Sequence, residues 1–250
     1  MKISVVTPTG GREQRLRAMV RCFQAQTHAD RELLILDDGP QPSRWCEALG
    51  DPRVSYRFIA QGKHSLGEKR NLLAADAQGE LIAHFDDDDL YAPHYLERMA
   101  GLLGGADLLT LSAWFALHEQ TGQFFWWDSA QALAHRFAVS GAGITPQTRP
   151  PGEVDAALDP NLWGYGFSYL YRRAAWERVK FPALGFGEDY QFVQGLAAAG
   201  CARVAAPDCE GLVLHVVHGS NASRIFPQYR LPEFAIERIF GPWLAAALER

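Results

Sequence analysis

Apolar positions in the first third of the chain alternate between two periods. Residues 3–7 (ISVVT) form a β-branched apolar run that stops at Pro8, and Leu16, Met19, Val20 and Phe23 then recur at helical spacing. A strand followed by a helix is expected. The step repeats: ELLILDDG (32–39) reads as a strand, PSRWCEALG as a short helix and RVSYRFI as a strand, followed by a helix over LGEKRNLLAADAQG closed by Gly79 and a strand over ELIAHFDD. This alternation predicts an α/β fold with a mostly parallel central sheet flanked by helices. In such sheets ligands bind at the carboxyl ends of the strands. Those ends carry Pro8-Thr9, Asp37-Asp38 and Asp86 to Asp89, so three polar groups are expected on one rim.

Beyond residue 105 the regularity weakens. DLLTLSAWFALHE and QFFWW read as longer, antiparallel strands, and 140–162, rich in Gly and Pro, reads as a loop or lid. A strand at FSYLYRR, helices at 174–179 and 188–199, a strand at GLVLHVV and a closing helix from about Leu231 complete the pattern. No internal repeat or low-complexity tract interrupts it, and one domain over 1–250 is expected, with halves at 1–105 and 106–230 and a C-terminal helix at 231–250.

Composition narrows the class. A chain of 250 residues that is 48% hydrophobic and 12% aromatic can bury a substantial core. Its net charge of -5 offers no basic footprint for nucleic acid, which is not expected as a partner. MKISVVTPTG carries one Lys and only a short apolar run, and nothing approaches the ~18 apolar residues of a membrane span, so a cytoplasmic protein without a transmembrane segment is expected. Cys22, Cys46, Cys201 and Cys209 have no metal-site spacing and are expected as thiols in or near the core. Within the closing helix, Phe234, Ile236, Ile239, Phe240, Trp243 and Leu244 call for an apolar partner: the domain itself, a second subunit in a homo-oligomer, or a membrane surface to which the protein is peripheral.

The chemistry centres on LIAHFDDDDLYAP. Four adjacent carboxylates at the end of a strand need a counter-charge or open water. A divalent cation would supply it, and oxygen-only ligation suits Mg²⁺ or Mn²⁺. In an extended segment Asp86 and Asp88 share one face and Asp87 and Asp89 the other. The plain alternative is a solvated turn capping the helix after Pro93. No GxxxxGK[ST] or strand-borne GxGxxG competes for a phosphate, which leaves the metal and the cations Lys69 and Arg70. Further along, GFGEDYQFVQGL places Glu188 and Asp189 at a helix start, either as caps or as a general base in a cleft. His215 and His218 fall on opposite faces of an alternating strand, so one at most should enter the site, and His218 at the strand end is the better placed.

In this order the segments resemble glycosyltransferase family 2, enzymes of the GT-A fold that use a nucleoside diphosphate sugar. SVVTPTGGR looks like the family's opening strand and turn, ELLILDDG like its second strand, and LGEKRNLLAADAQGELIAHFDDDD like the helix and strand leading to its D-x-D motif. GFSYLYRRAAWERVKFPALGFGEDYQFVQGLAAAG is similar to its acceptor segment with a Glu-Asp motif, and HGSNAS to its closing histidine segment. The resemblance spans about residues 2–225 and makes 1–105 the nucleotide-sugar half and 106–230 the acceptor and catalytic half. It implies that Pro8, Thr9 and Asp38 hold the base, Asp86 or Asp87 the ribose, and Arg12, Lys69 and Arg70 the nucleotide-sugar, with Arg70 near its phosphates. It also implies Asp88 and His218 as metal ligands and Asp189 as catalytic base; Glu188 beside it, and Trp163, whose aromatic face suits a sugar ring, are expected on the acceptor side.

The implied reaction is an inverting transfer, with Asp189 taking the proton of an attacking hydroxyl while metal and Arg70 stabilise the leaving diphosphate. Glycan, lipid-linked, peptide and small-molecule acceptors all fit. Two other readings stand beside it: a nucleotidyltransferase of related fold, and a non-catalytic module that binds sugar nucleotides or glycans.

Overall fold

The computed structural model describes residues 1–131 and 133–248. Its first half follows the two-period pattern closely. Strand β1 (Ile3–Thr9) leads into helix α1 (Glu13–Gln24), strand β2 (Arg31–Asp37), the single turn α2 (Arg44–Glu47) and strand β3 (Val54–Phe58). Helix α3 (Leu66–Asp76) and strand β4 (Leu81–His84) close this half. Every residue of β1 is buried, and α1 turns Leu16, Met19, Val20, Cys22 and Phe23 inward. Each such side chain removed from water contributes about 1.5–3 kcal/mol.

Ser65 starts α3 through a reciprocal cap: its Oγ accepts the Glu68 N–H at 3.3 Å while the Glu68 carboxylate accepts the Ser65 N–H at 2.8 Å. Gly79 does not close this helix, which ends at Asp76. It lies against β1 instead, where an added Cβ would stand 2.7 Å from the Ser4 nitrogen.

The remaining elements are the short β5 (Leu90–Tyr91), α4 (Tyr95–Leu103), β6 (Leu108–His118), β7 (Gln123–Asp128), and the hairpin of β8 (His135–Ser140) with β9 (Gly143–Thr148). Then come α5 (Pro151–Trp163), a 3₁₀ turn (Gly166–Ser168), β10 (Leu170–Arg172), α6 (Arg173–Arg178), α7 (Glu188–Ala198), β11 (Arg203–Pro207), β12 (Val213–Val217), β13 (Tyr229–Leu231) and α8 (Phe234–Leu248). Residues 140–162 are therefore a strand and a helix rather than an open loop: Pro151 sits where a helix tolerates proline, in its first turn.

The main sheet runs β13-β7-β6-β10-β4-β1-β2-β3. Strands β4, β1, β2 and β3 are parallel, β10 enters antiparallel between β4 and β6, and β11 and β12 pair parallel to β6. This is the mixed, centrally parallel α/β architecture expected, with β8–β9 as a separate antiparallel pair. From β1 the order runs to β2 on one side and β4 on the other. Such a switch point opens a crevice at the strand ends.

Only part of the apolar side of α8 packs on the domain itself: Phe240 and Leu244 are buried, whereas Phe234 at its start is exposed. Phe240 is buried against Phe115 and Phe124, and the helix breaks at Gly241. No helix among the described residues is long and apolar enough to cross a membrane. Three of the four thiols are buried; Cys209 is exposed, because it falls between β11 and β12 rather than in either strand.

Candidate active site

Strand β4 ends at His84, and the next residues leave the sheet in a turn closed by the Asp89 N–H donating to the Asp86 carbonyl at 3.3 Å. The turn is held from beneath. Phe85 stacks on Tyr91 at 3.7 Å, and the Tyr91 hydroxyl accepts the Asp86 N–H at 2.9 Å. Because the backbone turns, strand alternation does not sort these side chains: Asp86, Asp88 and Asp89 converge, each with a carboxylate oxygen within 4.8 Å of the others. Asp87 leaves that group for the end of β1, where it accepts the Thr9 hydroxyl at 2.5 Å.

Arg12 spans both sets. Its Nη1 lies 2.6 Å from Asp88 and its Nη2 2.5 Å from Asp87. Burial and the neighbouring Asp88 push Asp87 up from the usual carboxylate range. Burial works against ionising Asp88 too, yet its hydrogen bond to His218 and the charge of Arg12 hold it below that range. Both histidines reach the aspartates. His215 Nδ1 is 3.0 Å from Asp89, which also accepts the Val216 N–H, and His218 Nε2 is 2.9 Å from Asp88. The opposite-face expectation fails because β12 ends at Val217 and His218 lies beyond its alternation. Ser220 sits at the other ring nitrogen of His218, its Oγ 2.9 Å from Nδ1. The Ser220 N–H donates to the same Nδ1 at 3.2 Å, which favours the tautomer carrying its proton on Nε2 toward Asp88; a cation bound at Nε2 would take that proton's place.

Behind the turn lies a second charged centre. Arg70, on α3, is buried, and burial disfavours its charge, but Asp86 and Glu188 outweigh that and hold it above its ordinary range. Its guanidinium is 3.2 Å from Glu188, 3.5 Å from Asp86 and 2.8 Å from Nδ1 of His84, which also lies 2.9 Å from the Gly166 carbonyl oxygen. His84 is fully buried on β4; burial and the adjacent Arg70 hold its ring neutral. Gly187, at φ 77°, turns the chain into α7 and brings Glu188 to Arg70. Asp189 follows, its two oxygens accepting the Gly166 N–H at 2.9 Å and the Tyr190 N–H at 2.7 Å. Burial and then the Glu188 charge push Asp189 up to about 6.

Arg12, Arg70, Asp86, Asp88, Glu188 and Asp189 line one cavity of about 590 Å³ at the switch point. His215 lines it as well. Other residues singled out in the sequence fall elsewhere. Asp38 is paired with Lys69 at 2.8 Å, so Lys69 faces the end of β2 and does not line this cavity. Pro8 is buried within β1, opposite Leu36 of β2. Trp163 is turned away. Its ring carries the Arg203 guanidinium at 4.7 Å, while its neighbours Asn161, Gly164 and Tyr165 form the wall. In the QFFWW strand, whose aromatic rings could also suit a sugar, Trp127 is core and Trp126 donates its indole N–H to the Asp208 carbonyl.

Sequence reading missed Tyr165, Phe186, Asn221 and Phe226, which also line the cavity. Phe226 carries no motif of its own, while Asn221 lies in the HGSNAS segment, where the histidine alone was singled out. Phe186 did carry a signal, a large apolar residue between two glycines immediately before Glu188.

The region from β1 to the end of α5 matches a known sequence family: residues 4–163 fit the description "Glycosyl transferase family 2". The chain belongs to glycosyltransferase family 2. Among its relatives is the putative colanic acid biosynthesis glycosyl transferase WcaA of Escherichia coli, 33% identical over 100 residues, which are 38% of this chain and 35% of that protein. Solved structures share the fold. S. aureus TarS 1-349 in complex with UDP-GlcNAc superposes with a TM-score of 0.63 at 17% identity, over 89% of this chain and 62% of that one. The mannosyltransferase PcManGT of Pyrobaculum calidifontis, in complex with GDP-Man and Mn2+, gives 0.57 at 16% identity, over 86% and 56%. The family-2 chain thus spans less than two thirds of each of these proteins, and its fold is the GT-A class that the sequence resemblance implied.

Proposed function

We propose that this chain transfers a sugar from a nucleoside diphosphate sugar to an acceptor hydroxyl, with inversion at the anomeric carbon and with help from a divalent cation. One observation carries the reading: the acidic turn after β4, two arginines and a buried carboxylate on α7 all line the same cavity. Relatives support the donor class, since TarS and PcManGT are described in complex with UDP-GlcNAc and GDP-Man.

The residues fit a hard cation. Asp86 and Asp88 offer convergent carboxylate oxygens, while Asp89 is already committed to His215 and Val216. Asp86 and Asp88 would hold the ion with His218 as a third ligand, and when bound it would neutralise charge on the donor's diphosphate. Arg70 stays fixed by Glu188 and His84 and adds a second positive charge beside the leaving group. Thr9 and Asp38, at the ends of β1 and β2, flank the place of the nucleoside. Asp189, held by two backbone N–H groups, accepts the proton of the attacking hydroxyl.

The test is turnover. Wild type, Asp88→Ala and Asp189→Asn are incubated with UDP-, GDP-, CDP- and dTDP-sugars, with and without Mn²⁺, and the released nucleotide and product anomer are read by chromatography and NMR. Release from one donor class, metal-dependent and reduced about 10²- to 10⁴-fold in Asp189→Asn, is expected. Donor binding without turnover in wild type would instead favour a binding module.

A further inference from the structure

Phe186 is the most exposed aromatic side chain at the cavity, at 68%, although phenylalanine is among the residues most often buried. A lone exposed apolar residue means little. This one lies three residues before Asp189 on a loop whose root is clamped and whose tip is free. At the root, Asn71 of α3 donates to the Phe181 carbonyl and accepts its N–H, and the Gly67 N–H donates to the Leu184 carbonyl at 3.0 Å. At the tip, Gly185 and Gly187 flank the ring with no heavy atom within 4 Å of where a Cβ would be. Packing does not explain a phenylalanine here, because among the described residues nothing covers it.

The same cavity is lined by Tyr165 and Phe226, and by the polar residues Asn161, Asn221 and Asp189. A lining that combines flat aromatic faces with amide and carboxylate groups matches a ligand with apolar C–H faces and a rim of hydroxyls. A lipid chain would need an apolar lining throughout. A peptide would need no stacking platform.

We propose that Phe186 is the acceptor platform of this site, and that the acceptor is a glycan whose terminal ring stacks on it with a hydroxyl directed to Asp189. This rests on the transferase reading of the cavity. Methyl glycosides of glucose, galactose, N-acetylglucosamine and mannose serve as acceptor probes, with glycerol and threonine amide as non-carbohydrate controls. The readout is the ratio of sugar transferred to the glycoside over donor hydrolysed by water, at sub-saturating acceptor.

In Phe186→Ala the ratio falls five- to thirtyfold through a raised acceptor KM, equivalent to about 1–2 kcal/mol, and Phe186→Trp restores it. Folding is not at stake at so exposed a position, and a matching thermal melt confirms that. An unchanged ratio in Phe186→Ala overturns the platform. So does an equal loss in Phe186→Trp, transfer to the controls alone, or hydrolysis that no glycoside diverts. If wild type neither hydrolyses nor transfers any sugar nucleotide, the transferase reading itself falls, which is a separate result.

Discussion

At the scale of single residues, the site is a set of buried charges that compensate one another. Asp189 shows the consequence most directly. Burial and Glu188 push it up to about 6, with Arg70 acting in the opposite sense. As the proposed base, Asp189 must be ionised to work, so in the proposed metal-assisted transfer the rate at saturating donor and metal should fall about tenfold per pH unit below about 6 and level off above it. Asp86 is also pushed up to about 6, by burial first, but saturating metal fixes its charge, so this limb reports Asp189. Arg70→Gln removes a cation that favours the charged form and should move the limb to higher pH. A limb that stays in place in that variant would separate Arg70 from the base. The sign for folding is opposite to that of an ordinary salt-bridged carboxylate. Between the ordinary carboxylate range and about 6 the folded chain keeps a proton that the unfolded chain has lost, so this group makes stability fall as pH rises through that window.

At the scale of elements, the contact between α3 and the loop before α7 aligns the two halves of the site. Gly67 makes the contact feasible: a Cβ there would stand 1.9 Å from the Pro182 carbonyl oxygen and 3.2 Å from Glu188 Cβ. Gly67→Ala would gain about 1 kcal/mol of helix propensity. The clash is with backbone and cannot be relieved by a rotamer, and overpacking of this kind costs about 1–3 kcal/mol. The clash wins. The variant is expected to be less stable in urea unfolding and to lose activity beyond its loss of stability, because the loop carrying Phe186 and Glu188 must shift. The elements themselves were largely legible, since β1 to β4 announce themselves by alternating periods. What was hidden has physical causes. Strand β11 (RVAAP) is half-exposed and carries no strong pattern, while the proline-rich start of α5 reads as loop until Pro151 is placed in its first turn. Trp163 was expected on the acceptor side because aromatic rings suit sugars, but its neighbours line the cavity and its own ring is taken by Arg203.

At the scale of the whole molecule, the acidic turn is gripped by residues far away in the chain. Arg12 comes from 76 positions before Asp88, and His218 from 130 positions after it. No local sequence pattern could show that Arg12 would be the counter-ion of these aspartates, although the need for one was plain. The arrangement implies competition: a cation binding at Asp88 must displace the Arg12 guanidinium or share the carboxylate with it. Arg12→Met removes the competitor and leaves Asp87 and Asp88 facing each other. Arg12 is itself 36% exposed, so its net contribution is discounted from the buried-pair range to about 1–2 kcal/mol. The metal-free variant should therefore melt roughly 2–8 °C below wild type. Mn²⁺ alone, measured by calorimetry, should bind the variant several-fold more tightly and recover part of that loss, because ligands that bind only the folded state stabilise it by mass action. If Arg12→Met binds Mn²⁺ no better than wild type does, the guanidinium and the metal do not share Asp88, and the cation must sit on Asp86 and the far side of the turn.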